Sequence, residues 1–116
     1  MSQLRSFTVS DFLRPSQGEP IRSVITESAD AAVVAWHVEP GQRITPHVHP
    51  TGQDTWIVIS GVGEYQHTAE GNSIPLRAGE VFVAHRGQVH GVLNTGETPL
   101  VFVSVVSPAL SGFEPL

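Results

Sequence analysis

From Ala31 onward the chain alternates short apolar runs with clusters of turn residues, and this pattern predicts strands rather than helices. The run Ala32-Val33-Val34-Ala35-Trp36-His37-Val38 stops at Glu39-Pro40-Gly41, and the run Asp54 to Ser60 is closed by Gly61. Glu64 to His67 is expected to pair with that run or with the segment beyond the turn Glu70-Gly71-Asn72. Glu80 to Ala84 follows Ala78-Gly79 and breaks at Arg86-Gly87, while His90 to Leu93 and Leu100 to Val106 flank a turn at Asn94-Thr95-Gly96. Ile21 to Thr26 adds a first strand, and Ser10 to Arg14 is expected to make one helical turn ended by Pro15. The runs are rich in Val, Ile, Thr and aromatic residues, and none carries a sustained 3.6-residue stripe. About seven to nine strands without long helices predict an all-β sandwich or barrel.

Length and composition narrow this further. The 116 residues suit one domain. The expected division is a lead-in over 1–30, a β-barrel over 31–110 and a tail over 111–116. Eleven glycines and nine prolines fit frequent turns, and 40% hydrophobic residues with 15% charged ones argue against disorder. No cysteine is present, which excludes disulfides, thiolate nucleophiles and iron–sulfur clusters. No lysine is present either, so Schiff-base chemistry and a P-loop lysine are excluded. A formal net charge of −5 opposes nucleic-acid binding, and no apolar stretch is long enough to span a membrane. The expectation is a soluble cytoplasmic protein with no nucleic-acid or membrane partner.

Candidate chemistry gathers at histidines. His47 and His49 form an H-x-H pair, and residues two apart on an extended strand share a face. Asp54 follows His49 by five residues with the amide Gln53 just before it, and His90 lies on a separate predicted strand. Three imidazoles and one oxygen donor suit Fe, Mn, Ni, Co or Zn as divalent ions, leaving positions for substrate. Trp56 shares parity with Asp54, which places it either on a cavity wall, as a catalytic-site residue that stacks on an apolar or aromatic substrate, or in the core. Arg43 either meets an anionic substrate at the mouth or is a plain surface arginine. His37 and His67 read as structural and exposed, respectively. No G-x-S-x-G elbow, P-loop or dinucleotide fingerprint competes with the histidine cluster.

Punctuated by its glycines, the chain reads Gly41, five residues, His47, one residue, His49, four residues, Asp54, six residues, Gly61. A second segment reads Gly79, five residues, His85, one residue, Gly87, two residues, His90, three residues, Asn94, and 17 residues separate the two. Over about Val33 to Val106 these resemble the two motifs of the cupin superfamily. The resemblance implies a single-domain double-stranded β-helix, or jelly-roll barrel, with a metal site in its mouth. It departs from the family pattern at two places. Asp54 stands where the family has Glu, and Gln53 fits the alternative gap, so either supplies the oxygen donor. His85 stands where the family usually has Pro, as a turn residue or as a proton shuttle titrating near neutral pH. Cupins include dioxygenases, isomerases, decarboxylases and ligand-binding modules. The expectation is dioxygenase-type chemistry on a small organic substrate, with metal-free isomerisation or non-catalytic binding as alternatives. Members often form homodimers through an added N-terminal strand and face-to-face sheet packing, and Ile21 to Thr26 and Leu100 to Val106 supply suitable strands.

Overall fold

A computed structural model describes residues 4–116, and among these it contains ten strands and one 3₁₀ turn at Val9–Phe12. In chain order the strands are β1 (Ser23–Glu27), β2 (Ala32–Val38), β3 (Arg43–Val48), β4 (Gln53–Ser60) and β5 (Val62–Gln66). They continue as β6 (Ser73–Arg77), β7 (Val81–Ala84), β8 (His90–Leu93), β9 (Leu100–Ser107) and β10 (Glu114–Pro115). Two five-stranded sheets result, ordered β1-β2-β9-β4-β7 and β10-β3-β8-β5-β6, with every pairing antiparallel. This is an all-β architecture of the kind expected from the runs and turns, in the jelly-roll form that the cupin resemblance implies. β2 and β8 have the bounds that the apolar pattern predicts. The glycines at Gly41, Gly61, Gly79 and Gly87 sit at turns with positive φ.

β3 and β6 differ from the apolar pattern, because neither is a continuous apolar run and each contains a proline. Proline cannot donate to a ladder, so it weakens a strand reading unless an edge or a bulge accommodates it. Both exits are used here. Pro75 lies on β6, the edge strand of its sheet. Pro46 lies where the pairing of β3 with β8 shifts, between Ile44 and His47. Residues 111–116, expected as a tail, include β10, which pairs Glu114 with Val48 and Pro115 with His47. The lead-in strand β1 pairs with β2 of its own chain.

The core lies between the sheets because inward positions of both are apolar. Val38, Trp56, Val58, Tyr65, Leu76, Val92, Leu100 and Phe102 form one buried cluster. Alternation along β4 sends Asp54, Trp56 and Val58 inward and leaves Ile57 and Ile59 outside. Phe102 sits at its centre, with ring centroids 4.4 Å from Trp56 and 6.2 Å from Trp36. Phe102→Ala is expected to lower unfolding stability by about 3–5 kcal/mol, because a buried aromatic leaves a cavity. Ile74→Ala, exposed on the edge strand β6 of the other sheet, is expected to stay within about 1 kcal/mol. Urea denaturation of the two variants beside the parent checks the contrast.

Candidate metal centre

Three strands and one turn bring the histidine cluster together. His47 is on β3, His49 lies just beyond its end, Asp54 is the second residue of β4, and His90 opens β8. Inward-facing Ile44 is paired with Val92, and His47 with His90, across a register shift at Thr45-Pro46. His47 stands three positions from Ile44, an odd number that unbroken alternation would turn outward, whereas its partners His90 and Val92 are two apart and share a face. The bulge therefore turns His47 into the barrel. Gly91 makes room for it, since a Cβ there would lie 2.7 Å from the Ile44 carbonyl oxygen and 2.9 Å from the Pro46 nitrogen. The turn that carries His49 is fixed from the second motif, because the Gly87 N–H donates to the His49 carbonyl at 3.0 Å.

One ligand atom from each of His47, His49, Asp54 and His90 lies within 4.8 Å of the others. His47, Asp54 and His90 are buried and His49 is half-buried. Each imidazole donates its Nδ1 proton to a main-chain carbonyl: His47 to Thr45 at 2.8 Å, His49 to Gly112 at 2.7 Å, His90 to Gln88 at 3.1 Å. That leaves all three Nε2 atoms for the interior, and Asp54 Oδ2 lies 3.4 Å from that of His49 and 3.0 Å from that of His90. Asp54 Oδ1 is buried without a hydrogen-bond partner. With Nδ1 already donating, His49 and His90 bond Asp54 only if each carries a second proton. A divalent cation meets the same need with three neutral rings and one carboxylate. Nδ1–H bonds to carbonyls also fix the tautomer that metal-binding histidines require. The donor set fits such an ion.

The electrostatics are those of a crowded, partly dry site. Burial, reinforced by His90, pulls His47 down to about 4. Burial alone would raise Asp54, but the hydrogen bonds and charges of His49 and His90 outweigh it and bring the carboxyl to about 2. His49 is raised, chiefly by its hydrogen bond to Asp54 and against its burial. Burial, and then the charge of Asp54, raises the Tyr65 phenol.

The other sequence candidates separate by strand parity. Gln53 is exposed and its amide donates to Thr55 Oγ1 at 3.2 Å, so it points away from the cluster. Alternation on β4 thus selects Asp54 over Gln53 as the oxygen donor facing the histidines. His85 is exposed in a turn where its N–H donates to Gln88 Oε1 and its carbonyl accepts from the Gln88 N–H, outside the cavity lining. A chain reversal, the duty that Pro has in the family motif, is what this position performs here. Trp56 does both things considered for it: it is 2% exposed within the core cluster and it also lines the cavity. His37 contacts Glu39 Oε1 away from the cluster, and His67 is exposed.

Above the cluster opens a cavity of about 550 Å³. Its wall includes Trp36, Ile44 and Trp56, with Arg22 and Arg43 exposed at the rim and Leu110 to Phe113 along one side. Trp36 and the 110–113 segment were not singled out by the sequence. Trp36 shares inward parity with Val34 and Val38, which was a usable signal; the segment carries no motif.

Comparison with known proteins fits this geometry. The Cupin domain family matches residues 34–106. The chain belongs to the cupin family. A conserved Klebsiella pneumoniae protein with a double-stranded β-helix domain shares 52% identity, with 97% of each chain covered and a TM-score of 0.94. The cupin chain is also 34% identical to Germin-like protein 1-1 of Oryza sativa over 63% of its length and 35% of the relative's. With the pectin degradation protein KdgF of Dickeya dadantii it shares 29% identity over 79% of its length and 81% of the relative's. The chain spans about a third to a half of the length of the first curated relatives it matches. Among the described residues, no helix is long and apolar enough to cross a membrane.

The shifted pKa values give this cupin a pH signature. The native pKa of His47, about 4, lies below its unfolded value of 6.5, so the unfolded chain takes up that proton first as pH falls. Its contribution is complete above pH 6.5 and is lost toward pH 4, whereas that of Asp54 is lost only below 3.8, toward pH 2. His49, with a raised native value, works in the opposite sense and is stabilising at the acid side of its titration. With a chelator present, His47→Asn is expected to flatten the stability loss between pH 6.5 and 4 by at most a few kcal/mol. Denaturation midpoints of parent and variant across that range test the sign.

Proposed function

We propose that this cupin is a divalent-metal enzyme for a small organic molecule with an apolar or aromatic body and adjacent oxygen donors, and that its reaction is dioxygenase-type cleavage. The observation that carries this reading is the set of three Nδ1-tethered imidazoles whose Nε2 atoms face Asp54 at the base of a largely apolar cavity. His47, His49, Asp54 and His90 would hold the metal. When bound, such an ion supplies Lewis acidity toward substrate oxygens and redox chemistry toward dioxygen. Trp36, Ile44 and Trp56 receive the apolar body and displace water from it. Arg22 and Arg43 at the rim attract an anionic substituent. Asp54, held well below the usual carboxylate range, stays ionised at neutral pH. The relatives carry names as different as a germin-like protein and a pectin degradation protein, so the choice of reaction rests on the cavity and its donor set.

Metal analysis followed by oxygen uptake with catechols and β-diketones tests the reading. The expected result is about one Fe or Mn per chain and oxygen consumption that tracks the metal. His90→Ala is expected to lower metal affinity at least 10-fold and uptake about 100-fold, and Gln53→Ala neither. The hydrogen-bonded pairs of Asp54 with His49 and His90 also suit acid–base isomerisation. Full turnover in chelator would establish that alternative, and tight ligand retention without turnover would establish a binding module.

The cupin is further proposed to act as a homodimer through the outward face of the β1-β2-β9-β4-β7 sheet. Ile57, Val81 and Val103 stand in register there, as do Thr55, Val83 and Val105, and none of the six is charged. Ile57 and Val81 are 38% and 57% exposed, a cost to a solitary sheet that face-to-face packing removes. Size-exclusion chromatography at micromolar concentration is expected to show twice the 12.4 kDa of one chain, and Val81→Lys to reduce it to a monomer. A 12.4 kDa parent species removes the proposal.

A further inference from the structure

The segment after β9 is tied to the metal centre by contacts of three kinds. Its anchor is Ser111, only 2% exposed, whose carbonyl accepts from the Thr51 N–H at 3.0 Å. The neighbouring turn leaves space for it by having no side chain at Gly52, where a Cβ would fall 1.7 Å from Ser111 Oγ. Next comes Gly112, whose carbonyl accepts the Nδ1 proton of His49. Its φ of +75° is a conformation that L side chains rarely adopt, and a Cβ there would meet Pro50 Cδ at 3.1 Å. Last is Phe113, whose ring centroid lies 4.9 Å from that of His47 and 6.3 Å from that of His49. It lines the cavity while remaining 61% exposed.

We infer that this strap, Ala109 to Phe113, is a working wall of the site. The Gly112 carbonyl is a positioning group that keeps Nε2 of His49 turned toward the metal, and Phe113 is the aromatic face on which a planar substrate stacks. The inference rests on the metal reading above and adds to it the residue that selects the substrate's shape. Three physical points support it. A neutral imidazole has one N–H, and committing it to Gly112 leaves the lone pair on the nitrogen that faces Asp54. A phenylalanine held at a cavity mouth with most of its surface open offers an uncovered ring to an incoming planar molecule. The strap is rooted on the core at Ala109, which packs against Ala32, Val34 and Val106, and beyond that it is keyed to Gly52 and Thr51 and closed by the pairing of β10 with β3.

The test uses Co(II) as the metal probe and 4-nitrocatechol as the planar ligand, with histidine ring ¹⁵N NMR on the full chain. Gly112→Ala and Gly52→Ala each displace the strap and leave the four donor side chains unchanged. Both are expected to weaken Co(II) binding roughly 10- to 100-fold and to shift the His49 signals away from the Nδ1–H pattern. Phe113→Ala is expected to weaken 4-nitrocatechol binding to the Co(II)-loaded protein roughly 3- to 10-fold, with recovery in Phe113→Tyr. Unchanged Co(II) affinity and unchanged His49 signals in folded Gly112→Ala, or unchanged 4-nitrocatechol affinity in Phe113→Ala, would overturn the inference. Gly52→Ala is the variant most at risk of misfolding, and Gly112→Ala with exposed Phe113→Ala decide the matter without it. A parent chain that takes up no Co(II) refutes the metal reading instead. The ¹⁵N signals of the metal-free parent and Gly112→Ala then still test the tether to His49.

Discussion

A carboxylate buried among three imidazoles is tolerable only if protons or a cation balance it, and the surrounding main chain decides which nitrogens face it. In this cupin each ring's Nδ1 is committed to a carbonyl, one from β3, one from the β7–β8 connection and one from the strap after β9. Those carbonyls come from segments far apart in sequence, so the site's protonation pattern is a product of the closed barrel. The same burial that makes Asp54 costly makes its charge effective: it holds His49 up and is itself held down.

The barrel's two sheets divide the work. Lower down, Trp56, Tyr65, Leu76, Val92 and Phe102 fill the space between them and supply the apolar burial that stabilises so short a chain. At the mouth, inward residues such as Trp36, Ile44 and His47 line the cavity. Trp56 spans the boundary, its ring centroid 4.4 Å from that of Phe102 in a tilted contact and 5.7 Å from that of His90. Packing therefore aims the site, since a shift of that indole would be felt by the ligand beside it.

Much of this was legible in the residues. Apolar runs and glycine turns mark the strands, and strand periodicity makes Asp54 and Trp56 share a face. The H-x-H pair was read as lying on one extended strand, yet His47 owes its inward aim to a bulge that no periodicity reveals. The choice between Asp54 and Gln53 stayed open because it turns on where β4 begins, and a one-residue change in register exchanges them. His85 stands at a family motif position, but a turn's exposed corner is set by two hydrogen bonds with Gln88, one accepted by its side-chain Oε1 and one donated by its main-chain N–H. The segment over 111–116 carries no motif, because its part in the site is played mainly by carbonyls and by one ring whose neighbours are distant in sequence.

Both margins of the β10-β3-β8-β5-β6 sheet end on a strand containing proline, Pro115 on one side and Pro75 on the other. A proline offers no N–H to an incoming strand and interrupts the row of groups that would otherwise template it. Growth by lateral strand addition is therefore discouraged at each margin of this sheet.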